Sequence, residues 1–126
     1  MSLAGLKILV VEDSDLISDR INTILSELNC ISEISKSGNG ISALKLFEET
    51  NPDVVILDIN LPGKSGIDIL KKIKSTSSSR VIMFTNYSDS FYRNLCAELG
   101  ADGFLDKSDE FEQIPSLIEK IYANNI

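Results

Sequence analysis

The chain has 126 residues, 43% of them hydrophobic and 25% charged, which predicts one globular domain over residues 1–126 with a structured core at about 6–124. Its net charge of −7 argues against direct nucleic-acid binding through a basic surface. Histidine is absent, which excludes Ser-His-Asp and Cys-His catalytic sites and a histidine that carries a phosphoryl group.

Five segments are expected to form β-strands. Three of them are continuous apolar runs rich in β-branched residues, at 8–11, 54–57 and 81–84, and this pattern is typical of strands covered on both faces. Two weaker strands are expected at 31–35 and 103–105.

The segments between the strands carry apolar residues at helical spacing, so each is expected to form a helix with one buried face. The five faces are Leu16, Ile17, Ile21, Ile24, Leu25 and Leu28; Ile41, Leu44 and Phe47; Ile67, Leu70 and Ile73; Phe91, Leu95 and Leu99; and Ile114, Leu117, Ile118, Ile121 and Tyr122.

Turn-forming residues divide the chain at the same places. Residues 38–40 (Gly-Asn-Gly) precede the second helix, and the Asn-Pro pair at 51–52 separates it from the third strand. Gly100 fits a helix C-terminus, and Pro115 fits the first turn of the last helix, after a turn at 108–113. The resulting five βα units predict an α/β fold, with a doubly wound parallel sheet covered by helices on both faces.

The two cysteines, Cys30 and Cys96, lack the spacing of a zinc site or a disulfide framework, so we expect buried thiols in a reducing compartment. No apolar run exceeds four residues, which excludes a membrane span and a signal-peptide core. We therefore expect a cytoplasmic protein that has no contact with membranes.

Polar residues stand at the carboxyl ends of the strands, the edge where open α/β sheets bind ligands. Each residue alone has an ordinary structural explanation: Asp13 or Asp15 could cap the first helix, and Lys107 could be a solvated surface residue. Together they form a pattern at one edge of the sheet, comprising Glu12, Asp13, Asp58, Thr85, Asn86 and Lys107.

Three of these residues are acidic, and carboxylates that converge repel one another unless a cation offsets their charge. Mg²⁺, or Mn²⁺, suits such a site because it binds a few carboxylates and retains waters that phosphate oxygens can replace. A carboxylate nucleophile, a divalent cation, Lys107 and the Thr85 hydroxyl are the groups needed to form an aspartyl-phosphate.

Four stretches together give a specific resemblance: ILVVEDS at 8–14, VVILDINLPG at 54–63 followed by Gly66, VIMFT at 81–85, and GADGFLDK at 100–107. On these stretches the sequence resembles the response-regulator receiver domains of two-component signalling, the CheY-like family. The resemblance covers nearly the whole chain and implies a flavodoxin-like (βα)5 fold with the strand order 2-1-3-4-5.

The resemblance also implies a role for each matching residue. Asp58 would accept the phosphoryl group, while Asp13, Asp58 and the main-chain carbonyl of Asn60 would bind the metal, with Glu12 contributing through water. Thr85 and Lys107 would bind the phosphoryl oxygens, and Phe104 occupies the position of the aromatic switch residue.

The sequence departs from the family pattern at four positions. Glu12 replaces a common aspartate, Asn86 follows Thr85 where a small residue is usual, Ser108 replaces a common proline, and Phe104 lacks a tyrosine hydroxyl. None of these changes removes a chemical role. We expect Asn86 and Tyr87 at the rim of the site, and a trans Lys107–Ser108 peptide, since a non-proline cis bond costs about 2.5–4 kcal/mol.

Three alternatives stay open from the residues. A flavodoxin-like FMN carrier would need a Ser/Thr/Gly-rich loop where the acidic 12–15 segment stands. An aspartate-nucleophile phosphohydrolase would need a second aspartate at position 60, which is Asn60. A degenerate receiver that only binds partners would not need the complete set of site residues.

We expect a signalling switch that catalyses its own phosphorylation and dephosphorylation but does not act as an enzyme on a separate metabolite. Its partners would be a sensor histidine kinase or a histidine phosphotransfer protein, and an output domain or effector, with a homodimer as a further option. Phosphorylation would change the face formed by the fourth helix, fifth strand and fifth helix. The last helix is expected to end near Asn124, which leaves no length here for a DNA-binding output domain.

Overall fold

The computed structural model describes residues 5–124, so the ends of the expected domain, at 1–4 and 125–126, lie outside the described residues. Five strands alternate with five α-helices, as the sequence predicts. The elements are β1 (Leu6–Val11), α1 (Asp15–Ser26), β2 (Ile31–Ser37), α2 (Gly40–Thr50), β3 (Val54–Leu57), α3 (Gly66–Thr76), β4 (Arg80–Thr85), α4 (Ser90–Glu98), β5 (Gly103–Asp106), a 3-10 turn (Phe111–Gln113) and α5 (Ile114–Asn124).

The strands form one parallel sheet in the order β2-β1-β3-β4-β5, which confirms the α/β fold and the implied strand order. After β1, the chain places β2 on one side of that strand, and it then places β3, β4 and β5 in turn on the other side. The two directions meet between β1 and β3, and ligands of open α/β sheets bind outside the carboxyl ends of the strands at such a point.

Both faces of the sheet are buried, which explains why the three central strands are continuously apolar. Successive side chains point to opposite faces of a strand. In β1, Ile8 and Val10 therefore join the core cluster that α1 and α5 cover, whereas Leu9 and Val11 join the cluster that α2, α3 and α4 cover. Two helices thus pack on one face of the sheet and three on the other.

Three of the residues predicted to lie on buried helix faces are exposed. Leu16, Ile41 and Phe91 are 81%, 69% and 68% exposed. Each is the second residue of its helix. The first turn of these helices lies near the carboxyl edge of the sheet, beyond the core, so apolar spacing there does not lead to burial. In α4, the buried residue is Cys96, and Tyr92 packs against the core cluster that includes Cys96.

Local signals set the ends of the helices. The N-cap of α1 is Ser14, whose hydroxyl accepts a hydrogen bond from the Ile17 amide, so neither Asp13 nor Asp15 is the cap. Gly100 follows the C-terminus of α4 with φ of +97°, a conformation that favours glycine. Pro115 lies in the first turn of α5, as expected. Among the described residues, no helix has the length and apolar character needed to cross a bilayer.

Candidate functional site

The carboxyl ends of β1, β3, β4 and β5 surround a pocket of about 380 Å³. Strand register brings them together, because Val11 pairs with Leu57 and Leu57 with Met83, so the residues that follow these pairs lie at one edge. The pocket is lined by Glu12, Asp13, Ser14, Ile17, Asp58, Asn60, Thr85, Asn86, Tyr87 and Lys107. Every site residue predicted from the sequence lies in this lining except Phe104.

Three carboxylates meet in the pocket. Glu12, Asp13 and Asp58 each offer an oxygen, and these oxygens lie within 4.8 Å of one another. Glu12 and Asp58 are 4% and 5% exposed, whereas Asp13 is exposed to solvent. This arrangement concentrates negative charge in a partly desolvated space, where attraction for a cation is strong.

Lys107 supplies a positive charge to two of the carboxylates. Its Nζ lies 2.6 Å from Oε1 of Glu12 and 2.5 Å from Oδ2 of Asp58. Burial alone would lower the pKa of Lys107, but its hydrogen bond to Asp58 and its ion pair with Glu12 outweigh burial and raise that pKa. Burial also raises the pKa of Glu12, and the contact with Lys107 offsets that effect only in part.

The two oxygens of Glu12 have different environments. Oε2 accepts a hydrogen bond from the Ser14 amide at 3.0 Å. Oε1 is buried and, within the described part of the chain, has no hydrogen bond of acceptable geometry despite its ion pair with Lys107. An acceptor left in this way fits a water or a hydrated cation in the pocket. Together with the three-carboxylate set, it fits a hard divalent ion such as Mg²⁺.

The loop after β3 is held close to the start of α3. The Asn60 amide donates to Oδ1 of Asp58 at 3.4 Å, and the Gly66 amide donates to the Ile59 carbonyl at 2.8 Å. A Cβ at Gly66 would lie only 1.9 Å from the carbonyl oxygen of Asp58. The glycine therefore permits the close approach that positions Asp58 and Asn60.

Thr85 links β4 to the loop that carries Lys107. Thr85 is fully buried, its hydroxyl oxygen accepts a hydrogen bond from the Tyr87 amide at 3.2 Å, and its carbonyl accepts from the Lys107 amide at 2.9 Å. Asn86 and Tyr87, which were expected at the rim of the site, are exposed and line the pocket. The described residues contain no cis peptide bond, which confirms the trans Lys107–Ser108 bond.

Phe104 lies apart from the pocket. Its half-buried ring packs against the core cluster under α2–α4, and the guanidinium of Arg93 lies 4.7 Å above the ring centroid. The sequence analysis missed this contact, together with the hydrogen bond from the Ser88 hydroxyl to Asp106 at 2.6 Å. Both contacts join residues on separate elements, which local sequence patterns do not reveal. The position of Asp106 directly before Lys107 was the one signal that could have identified Asp106.

The profile of the family described as "Response regulator receiver domain" matches residues 8–119. The chain belongs to the response regulator receiver domain family. This assignment favours the receiver interpretation over a flavin carrier or a phosphohydrolase.

Curated relatives of the domain are longer proteins. The chain is 28% identical over 119 residues to the response regulator GacA of Pseudomonas aeruginosa, covering 94% of this chain and 56% of that protein. It is 30% identical over 114 residues to the DNA-binding transcriptional activator EvgA of Escherichia coli K12, covering 88% of this chain and 54% of that protein. The chain thus spans about half the length of the curated relatives it matches.

A solved structure agrees along nearly the whole length. The response regulator domain of Thermotoga maritima CheB has a TM-score of 0.84 to this chain at 28% identity, with 97% of this chain and 98% of that chain covered. The receiver fold therefore extends from the first strand to the last helix of the described residues.

Proposed function

We propose that Asp58 accepts a phosphoryl group from the phosphohistidine of a sensor histidine kinase or a histidine phosphotransfer protein, and that this modification switches an output. The single observation that carries the proposal is the geometry around Asp58. Its carboxylate lies 2.5 Å from Lys107 and within 4.8 Å of the Glu12 and Asp13 carboxylates, at the open edge of the sheet.

In the proposed transfer, a carboxylate oxygen of Asp58 forms a bond to phosphorus while the bond from phosphorus to the histidine nitrogen breaks. The nitrogen keeps the electron pair and takes up a proton. Oδ2 of Asp58 is paired with Lys107, so the ammonium is already placed to bind the oxygens of the incoming group. The same site would catalyse hydrolysis of the acyl phosphate by water.

The acidic pocket explains why the reaction would need a divalent cation. Three carboxylates and one ammonium leave a net negative pocket that would repel a phosphoryl group. Asp13, Asp58 and the main-chain carbonyl of Asn60 would hold Mg²⁺ or Mn²⁺, with Glu12 bonded to its water. The bound cation would supply positive charge that offsets the charge on the transferring group.

Thr85 is the proposed link between phosphorylation and the rest of the fold. The hydroxyl oxygen of Thr85 accepts a hydrogen bond from the Tyr87 amide, so the hydroxyl hydrogen is available to donate to a phosphoryl oxygen. Movement of Thr85 toward that oxygen opens space into which the ring of Phe104 turns. The face formed by α4, β5 and α5 would change with Phe104, while Tyr87 at the rim shields the acyl phosphate from water.

The proposed switch is one receiver domain, residues 1–126, which would act in the cytoplasm. Its effector would be an output domain or a separate protein, since relatives of about twice the length include a DNA-binding activator. Contact with nucleic acid would come from that output, because the domain itself carries a net charge of −7. A homodimer through the switched face is compatible with this arrangement.

The test is intact-mass analysis after incubation with a small phosphodonor and Mg²⁺. We expect one added phosphoryl group in the wild-type protein and in Asp68→Asn, a matched change of an exposed aspartate on α3. Asp58→Asn should remain unmodified. Modification of Asp58→Asn to the wild-type extent would overturn the assignment, and sustained turnover of phosphomonoesters would favour the phosphohydrolase alternative.

A further inference from the structure

Arg93 contacts three parts of the molecule behind the phosphoryl pocket. Its Nε donates to the Ser88 carbonyl at 2.8 Å, and its Nη2 lies 3.5 Å from Oε1 of Glu110. Its guanidinium also covers the ring of Phe104 at 4.7 Å from the centroid. A single side chain on α4 thus bridges the β4–α4 loop, β5 and the segment before α5.

These contacts belong to a closed polar network formed by Ser88, Arg93, Asp106 and Glu110. The Ser88 hydroxyl donates to Oδ2 of Asp106 at 2.6 Å, and the Asp106 amide donates to Oε1 of Glu110 at 2.8 Å. Glu110 pairs with Arg93, and Arg93 binds the carbonyl of Ser88. Because four residues restrain one another, movement of any one strains the contacts of the others.

This polar network adjoins three residues that the proposed function uses, namely Thr85, Lys107 and Phe104. Ser88 follows Thr85 by three residues, and Asp106 directly precedes Lys107. Thr85 and Asp106 are paired in the register of β4 and β5. The aromatic switch residue, Phe104, lies directly beneath the guanidinium of Arg93. The polar network therefore restrains the loops that follow Thr85 and contain Lys107, and it also restrains Phe104.

We propose that Arg93 is a positioning residue that holds the ring of Phe104 in its half-buried position and so opposes the phosphorylated conformation. This inference rests on the proposed function, because it concerns the switch of that same site. Inward rotation of the Phe104 ring would remove it from the guanidinium. The contact with Arg93 therefore favours the unphosphorylated state only.

The expected effect follows from the population of two states. A phosphoryl group, or a mimic of it, binds the inward state more tightly, so its apparent affinity falls as the outward state is stabilised. A cation–π contact at a partly exposed site corresponds to about a two- to fivefold change in an equilibrium constant. Removal of the guanidinium should therefore tighten the apparent affinity for a phosphoryl mimic by about that factor.

The experiment is a titration with beryllofluoride at saturating Mg²⁺, followed by amide NMR signals. We compare the wild type with Arg93→Ala, and both again in a Phe104→Leu background. The matched control is Arg80→Ala, which removes another partly exposed arginine with an ion pair, Arg80 to Asp102 at 3.6 Å, at the opposite edge of the sheet. Arg93→Gln serves as a second variant in case Arg93→Ala does not fold, because the glutamine amide can still reach the Ser88 carbonyl.

We expect Arg93→Ala and Arg93→Gln to bind beryllofluoride about two to five times more tightly than the wild type, and Arg80→Ala to bind like the wild type. In the Phe104→Leu background the Arg93 substitutions should have a smaller effect, because only the polar contacts of Arg93 with Ser88 and Glu110 are then lost. Unchanged or weaker binding of beryllofluoride by both Arg93 variants would overturn the inference. Equal tightening in the wild-type and Phe104→Leu backgrounds would overturn it too. Either result would leave the proposed function intact. Absence of binding by the wild type would overturn the proposed function and, with it, this inference.

Discussion

At the scale of single residues, Lys107 offsets part of the negative charge of the pocket. Within the described lining, it is the one cationic side chain facing three carboxylates. Its contacts with Glu12 and Asp58 raise its pKa despite burial, so it stays charged throughout the neutral range. One ammonium cannot offset the charge of three carboxylates. Asp13, the exposed one, is therefore the group expected to contribute most to the binding of a divalent cation.

Magnesium should therefore stabilise the folded protein through Asp13. Because a cation that binds only the native state adds RT ln(1 + [L]/Kd), Mg²⁺ at 100 times its Kd should add about 2.7 kcal/mol to the free energy of unfolding. Thermal melting should show this as a higher midpoint for the wild type, and the response should be lost in Asp13→Asn. Asp15→Asn, an equal change of charge outside the three-carboxylate group, should keep it. Equal responses in both variants would contradict the proposed metal site.

Asp106 gives a prediction about pH. Hydrogen bonds from Ser108, first of all, and from Ser88 lower the pKa of Asp106 to about 2. A carboxyl group whose pKa falls on folding contributes stability above its ordinary value of 3.8, and that contribution is lost as the pH falls through about 2. A carboxyl NMR titration of Ser108→Ala should show the pKa of Asp106 moving up toward 3.8. A titration curve identical to that of the wild type would show that the hydrogen bond from the Ser108 hydroxyl does not lower the pKa of Asp106.

At the scale of helices and strands, the sequence was sufficient wherever local pattern decides structure. The apolar runs at β1, β3 and β4 predicted the buried strands because both faces of this sheet are covered. Strand β2 extends to Ser37, two residues beyond its predicted end. Helix periodicity was wrong for Leu16, Ile41 and Phe91, since periodicity cannot tell where a helix passes the edge of the core.

The candidate site was predictable to a similar extent. Residues at strand ends converge because parallel strands end at one edge, and the predicted lining from Glu12 to Lys107 lies around one pocket. The contacts of Phe104 with Arg93 and of Ser88 with Asp106 depend on packing between separate elements, which no local pattern encodes. The roles of these residues in phosphoryl transfer stay predictions.

Packing between β3 and α3 gives a prediction about an element. Gly66→Ala would place a Cβ 1.9 Å from the Asp58 carbonyl oxygen, so α3 must shift or the loop that carries Asp58 must move. Overpacking of this kind costs about 1–3 kcal/mol. Denaturant unfolding should show that loss for Gly66→Ala but not for Gly38→Ala, where a Cβ would meet its nearest atom only at 3.9 Å. Equal stabilities would mean that the start of α3 does not constrain the site.

At the scale of the whole molecule, the proposed switch joins the charged pocket at one edge of the sheet to the face formed by α4, β5 and α5. In the proposed switch, the path would run from Asp58 through Thr85 to Phe104 and then to α4, β5 and α5. That face carries Phe91 of α4, which is 68% exposed, and Tyr92 of α4, which stacks at a centroid distance of 5.3 Å against Tyr87 in the preceding loop. Its aromatic side chains are available to a partner whose binding would depend on the position of Phe104.

The most direct test of this account compares amide NMR spectra with Mg²⁺ alone and with Mg²⁺ and beryllofluoride. Asp58→Asn serves as the control that should not bind the mimic. We predict shifts that extend along residues 85–107 and into α5, far beyond the metal-binding residues, because the mimic biases the whole switch toward its second state. Shifts confined to the surroundings of Glu12, Asp13 and Asp58 would contradict the account, since they would show phosphoryl binding without a switch.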